Sequence, residues 1–214
     1  MGSKGRLFGD IGVTVWRVLL GFLFGAGVAT ALGAAVGYSR RVGDYLDPSL
    51  QALKAVPSLA WVPLFILWFG IFEISKVTLS AVGVFFPVYL NLVSGIRATD
   101  RKLVEVGRVN GFGRMDLVRR ILAPSALPHY VTGLRAGLAL GWMFVIAAEL
   151  MGASQGLGFL MLDGQMTGRP ATIVAALILF AVAGKISDAI LVGATRRMLA
   201  PQDDFASLQA RKGG

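Results

Sequence analysis

The chain has 214 residues, 55% of them hydrophobic and 15% charged, with a formal charge of +9 and a mean hydropathy of +0.68. Soluble domains carry about a quarter charged residues, so this composition excludes a single water-soluble globule. The absence of cysteine excludes disulfides, thiolate metal sites and thiol nucleophiles, and the one histidine, His129, excludes a multi-histidine metal centre.

A bilayer crossing takes roughly 20 apolar residues, and five stretches qualify in chain order. Residues 18–39 carry no charge, and Gly21, Gly25, Ala29, Gly33 and Gly37 recur every four positions. On a helix they form one small-residue stripe, which lets a neighbouring backbone approach closely. The block is too long for a cleavable signal and lacks a cleavage site. Residues 55–72 are the second stretch, interrupted by Pro57 and Pro63; residues 77–96 are the third and contain Pro87. Proline removes a backbone donor and kinks a helix. These three prolines admit two readings, a pathway built from broken helices or simple kinks in a packed bundle.

The fourth stretch, 124–148, carries a second stripe of Gly133, Gly137 and Gly141 and ends at Glu149. That carboxylate either lines a vestibule or faces the headgroups. The "GLGFL" that follows is no nucleotide loop, because it succeeds a membrane helix rather than a strand. The fifth stretch, 170–195, contains Lys185 and Asp188. Three residues apart, they share a helix face and form a predicted structural ion pair.

Basic residues fall unevenly between these stretches. Arg40, Arg41, Arg97, Arg101, Lys102, Arg108, Arg114, Arg119, Arg120, Arg196, Arg197, Arg211 and Lys212 lie on one predicted side, and only Lys76 and Arg169 on the other. This is the positive-inside pattern, so the richer side and the C-terminus are predicted to be cytoplasmic. The surplus charge reports topology rather than nucleic-acid binding. Five crossings then place the N-terminus outside, although Lys4 and Arg6 sit there.

Residues 99–123 form the basic loop between the third and fourth stretches. Asp100 is a predicted N-cap, Asn110-Gly111 a helix stop, and Pro124 the opening of the next span. Two short amphipathic helices are expected, one with Leu103, Val106 and Asn110 on a face, the other with Met115, Val118 and Leu122. Such a hairpin suits either the inner leaflet or a groove on a cytoplasmic protein, and the residues alone do not choose.

The spacing of the loop resembles the coupling loop of bacterial ABC-importer permeases, E-A-A, three residues, G, nine residues, I, one residue, L-P. Here Glu105-Val106-Gly107 precede Gly111 by three residues, and nine more lead to Ile121-Leu122-Ala123-Pro124. Val106, Gly107 and Ala123 are the departures. The likeness extends over residues 13–197, where "KAVPSLAWVPLFILWFGI", "SKVTLSAVGVFFPVYLNLVSGIR" and "GLRAGLALGWMFVIAAELMGASQGLGFLM" are similar to the aliphatic-sulfonate, taurine and nitrate branch.

The resemblance implies an all-α, polytopic membrane bundle of about five helices over residues 1–198, with a cytoplasmic tail over 199–214. Relatives usually have six spans, so the first is expected to be missing. It implies no chemistry on this chain: ATP and magnesium belong to a partner ATP-binding subunit, present in two copies. A second permease copy forming a homodimer and an external solute-binding protein are the other implied partners, in a bacterial inner membrane. The implied coupling residues are Glu105, Val106, Gly107, Gly111, Ile121 and Pro124. An ATP-independent channel, or a permease for another solute such as a cofactor precursor, is the alternative.

Overall fold

The computed structural model describes the backbone of residues 3–57 and 60–212, and within them all side chains except 3–6, 40, 101 and 197–212. Lys4, Arg6, Arg40, Arg101, Arg197, Arg211 and Lys212 therefore enter the charge pattern with side chains outside the described residues, and Gly213 and Gly214 lie outside altogether. Every regular element among the described residues is helical.

Helices α1 (Ser3–Tyr38), α4 (Glu73–Arg97) and α7 (Ala123–Gly152) make the centre of the bundle. The two small-residue stripes explain why. Both bear on α4: Gly25 approaches the Ala81 carbonyl, and Gly33 and Gly37 meet Leu92 and Ile96. From the other helix, Gly133 meets Asn91, and a Cβ at Gly137 would stand 3.0 Å from the Val84 carbonyl oxygen. Backbones this close allow van der Waals packing where hydrophobic exclusion of water is unavailable. Ala29, Val84, Val88 and Tyr89 form the core between them, each at most 1% exposed.

Four helices are long and apolar enough to cross a membrane: Leu7–Tyr38, Glu73–Arg97, Arg114–Gly152 and Pro170–Arg196. The expected continuous second span over 55–72 is not among them. Its sequence instead gives the short α3 (Trp61–Phe69), preceded by α2 (Arg40–Ala55) and a break at Val56 and Pro57. The chain still crosses there. Gly37 at the end of α1 sits on Ile96, near the C-terminal end of α4, so the chain must return to Glu73 at the far end. Asp47 of α2 bonds Arg97, Lys54 lines one cavity with Phe86 and Pro87, and Val62 and Phe65 of α3 pack with Leu79, Phe144 and Ala148. The second crossing is therefore discontinuous, half α2 and half α3.

The hairpin differs from expectation at its second helix. Helix α5 (Arg101–Val109) forms as predicted, capped by Asp100, whose carboxylate accepts from the Lys102 amide at 2.9 Å. After Gly111, however, α6 (Arg114–Leu117) runs through a π-helical turn (Val118–Leu122) straight into α7. Pro124 opens no separate span. A widened turn before it accommodates a residue that cannot donate, which is how membrane helices tolerate proline. Helix α8 (Leu157–Met166) and the long α9 (Pro170–Lys212) complete the chain. Helix α9 passes residue 198 without interruption, and its membrane-length part is only 6% buried.

Candidate functional site

The hairpin is built so that one face of α5 is sealed and the other is open. Gly107 is buried, and a Cβ there would stand 2.7 Å from both Ile121 Cδ1 and Leu117 Cδ2. Its small size thus serves packing within the hairpin, and Ile121 is one of the residues it packs on. Gly111 has φ of +75° with nothing within 4 Å of a Cβ; the turn needs a left-handed residue, not space. Phe112 then returns its amide to the Gly107 carbonyl at 3.0 Å, and the Arg120 guanidinium lies 5.2 Å from the Phe112 ring.

The outward face carries Leu103, Val106 and Val109, exposed by 51%, 58% and 88%, with Met115 at 62% beyond the turn. Glu105 is exposed beside them. Exposed apolar side chains clustered on a charged, water-facing hairpin mark a docking surface. The continuous helix Arg114–Gly152 has 39 residues, roughly 58 Å at 1.5 Å per residue, about twice a hydrocarbon core. The hairpin end must project from the membrane. Beside it opens a cleft of about 1310 Å³, lined by Asp44, Asp47, Arg97, Arg108 and Arg114 among others.

At the far end Glu149 is 0% exposed. It accepts from Arg17 Nη1 at 2.7 Å and from the Gly158 amide at 2.8 Å, and the Thr14 hydroxyl lies 2.9 and 3.0 Å from its two oxygens. Arg17, 2% exposed, also donates from Nε to Glu73 at 2.6 Å and from Nη1 to the Gln155 carbonyl at 2.8 Å. The Gly156 and Leu157 amides are taken by Asp10 and Thr14. The first turn of α8 thus binds an internal carboxylate, as helix N-termini favour anions. Among the described residues no buried side-chain polar atom lacks a partner. In this conformation Glu149 lines no open vestibule and faces no headgroups. It ties α1, α7 and α8 together.

The remaining sequence candidates separate. Pro57 lies at the break of the second crossing, Pro63 in the first turn of α3, where its missing amide costs nothing, and Pro87 inside a continuous α4. The Lys185–Asp188 pair does not form within ion-pair distance. Asp188 instead accepts from Arg135 Nε at 2.9 Å and Nη2 at 3.1 Å. The bidentate geometry of arginine outcompetes a one-turn lysine. The sequence reading missed Arg17, which directly precedes the first uncharged run. It also missed Asp47, which bridges Tyr89 at 2.5 Å and Arg97 at 2.9 Å and clamps α2 to α4.

Comparison with known proteins agrees with this architecture. The family model described as "Binding-protein-dependent transport system inner membrane component" matches residues 9–199. The putative aliphatic sulfonates transport permease protein SsuC of Bacillus subtilis (strain 168) is 44% identical over 196 residues, 92% of this chain and 71% of that one. Its namesake from Escherichia coli (strain K12) is 39% identical over 188 residues, 88% and 72% of the respective chains. In fold, the chain is similar to the MetNI methionine ABC transporter in an inward facing conformation, with TM-score 0.74, 19% identity, and coverage of 93% of this chain and 98% of that one.

Proposed function

The chain belongs to the binding-protein-dependent transport system inner membrane components, the permeases of ABC importers, and from that premise we propose that its solute is an aliphatic sulfonate or a similar small anion. The similarity to two aliphatic-sulfonate permeases supports that solute class. As a member of this family it works with an ATPase and a solute-binding protein. In our reading two ATPase subunits serve two copies of this chain, ATP and magnesium stay on those subunits, and no covalent chemistry falls to the permease.

The observation that carries the coupling role is the open face of α5. Among the described residues nothing covers Leu103, Val106 and Val109, and Glu105 stands beside them. On the far side, Gly107 locks α5 to Leu117 and Ile121, and those residues lead directly into α7. A push on α5 therefore reaches a helix at the centre of the bundle with no flexible joint between. ATP drives transport by binding one global state better than the other, and a stiff hairpin is what carries that preference into the membrane. The hairpin end faces the cytoplasm in this reading.

The test is co-purification. Glu105→Lys and Gly111→Asp variants insert at wild-type levels but lose the ATPase and sulfonate uptake, since one reverses the charge at the dock and the other strains the turn. Normal uptake by both variants overturns the coupling assignment.

A further inference from the structure

We propose that Lys54 and the cavity beside it form the membrane-depth site through which the solute passes, Lys54 meeting its anionic head and the apolar walls its alkyl body. This rests on the solute class proposed above and names the residues that would recognise it. Lys54 is the penultimate residue of α2, immediately before the break of the second crossing. It lines a cavity of about 270 Å³ whose other walls include Trp61, Val82, Phe86, Pro87, Leu140 and Phe144. Phe86 and Pro87 lie midway along α4, so the cavity that the exposed Lys54 borders sits near the middle of the membrane.

A cation at that depth is costly unless it faces water or a counter-charge. Other basic side chains at membrane depth have one: Arg17 has Glu73 and Glu149, Lys76 has Glu73, Arg135 has Asp188. Lys185 lies one turn from Asp188. Among the described residues no carboxylate is within ion-pair distance of Lys54, and Leu50 and Gln51, one turn back on its helix, are neutral. Discontinuous spans are where transporters place their solutes, because freed backbone at membrane depth is tolerated only where protein buries it or it lines a water-filled cavity.

The chemistry of the walls narrows the occupant. One positive charge set in an apolar, partly aromatic surround fits a small molecule with one anionic end and a short hydrocarbon end. No acidic group on those walls would meet the ammonium of an aminosulfonate.

The test uses the complete transporter, with its ATPase and binding protein, and ethanesulfonate as the probe. Lys54→Gln lowers uptake at least tenfold while binding-protein-stimulated ATP hydrolysis stays within twofold of wild type; Lys54→Arg keeps most of the uptake. Wild-type uptake by Lys54→Gln, or equal loss of uptake and hydrolysis in both variants, overturns the site. Because the chain contains no cysteine, Leu140→Cys, on the wall of the same cavity with Lys54 intact, gives a second readout. A water-soluble maleimide labels it in inside-out vesicles, and excess ethanesulfonate slows labelling more than equal taurine does. An unreactive cysteine, or equal protection by taurine, overturns the proposal. A wild-type transporter that imports no ethanesulfonate refutes the solute assignment, and maleimide access then decides separately whether the cavity beside Lys54 faces a water path.

Discussion

Glu149 and Arg17 are more than a hundred positions apart in sequence and 2.7 Å apart in space. A buried pair of this kind is poor evidence for net stabilisation, but removing one partner strands the other. Arg17→Met is therefore predicted to destabilise the chain by about 3–5 kcal/mol, read as a lowered melting temperature in detergent. The double variant Arg17→Met, Glu149→Met is predicted to recover more than half of that loss, because no uncompensated charge is left buried. A double variant as unstable as the single one would mean that the network acts through its contacts to Thr14 and the α8 amides instead. The carboxylate was visible in the sequence; its partner was not, because an arginine at the edge of an apolar run looks like an interfacial flank until a second helix is placed beside it.

Among the elements, the glycines divide by what they touch. At Gly107 an added methyl meets the movable ends of Ile121 and Leu117 and, at 3.3 Å, the edge of the Phe112 ring, and alanine gains up to about 1 kcal/mol of helix propensity. Gly107→Ala is predicted to leave ATPase co-purification within twofold of wild type, whereas Gly107→Leu abolishes it by prising α5 off its support. At Gly137 the obstacle is the backbone of α4 itself, which cannot move aside. Gly137→Leu is predicted to remove most of the folded protein, measured as the monodisperse fraction after extraction. The stripes were legible because small residues at a four-residue period have few other uses in a membrane helix. The division of the second crossing was not. Arg40 to Ala55 reads as a surface helix by its polarity, and only tertiary contacts, Val42, Leu46 and Leu50 on the core and Asp47 on Tyr89 and Arg97, carry it into the bundle.

For the whole molecule, the thirteen-to-two distribution of basic residues predicts sidedness. Single cysteines at Met115 and Ser154, both exposed, are expected to react with an impermeant thiol reagent from opposite faces: Met115→Cys only in inside-out vesicles, Ser154→Cys only in right-side-out ones. Labelling of both from one side would refute the orientation of the hairpin. The weak burial of α9 leaves an apolar flank that α1, α4 and α7 do not cover, consistent with a chain that works surrounded by lipid or a second copy.

What the sequence determined by itself is whatever depends on local pattern: membrane residence from hydropathy, the helix start at Asp100, the stop at Gly111, and the close approach of helices at the glycine stripes. Its spacing of Glu105, Gly111 and Ile121 also carried the family, since a docking hairpin is a local object. Tertiary structure alone decided which charges meet. Asp188 goes to Arg135 rather than Lys185, Glu149 to Arg17, and Asp47 to Tyr89 and Arg97. Lys54 is left facing a cavity. The physical reason is range. Helix propensity and hydropathy act within a few residues, whereas the pairing of charges at membrane depth is settled by whichever helices the glycine stripes bring together.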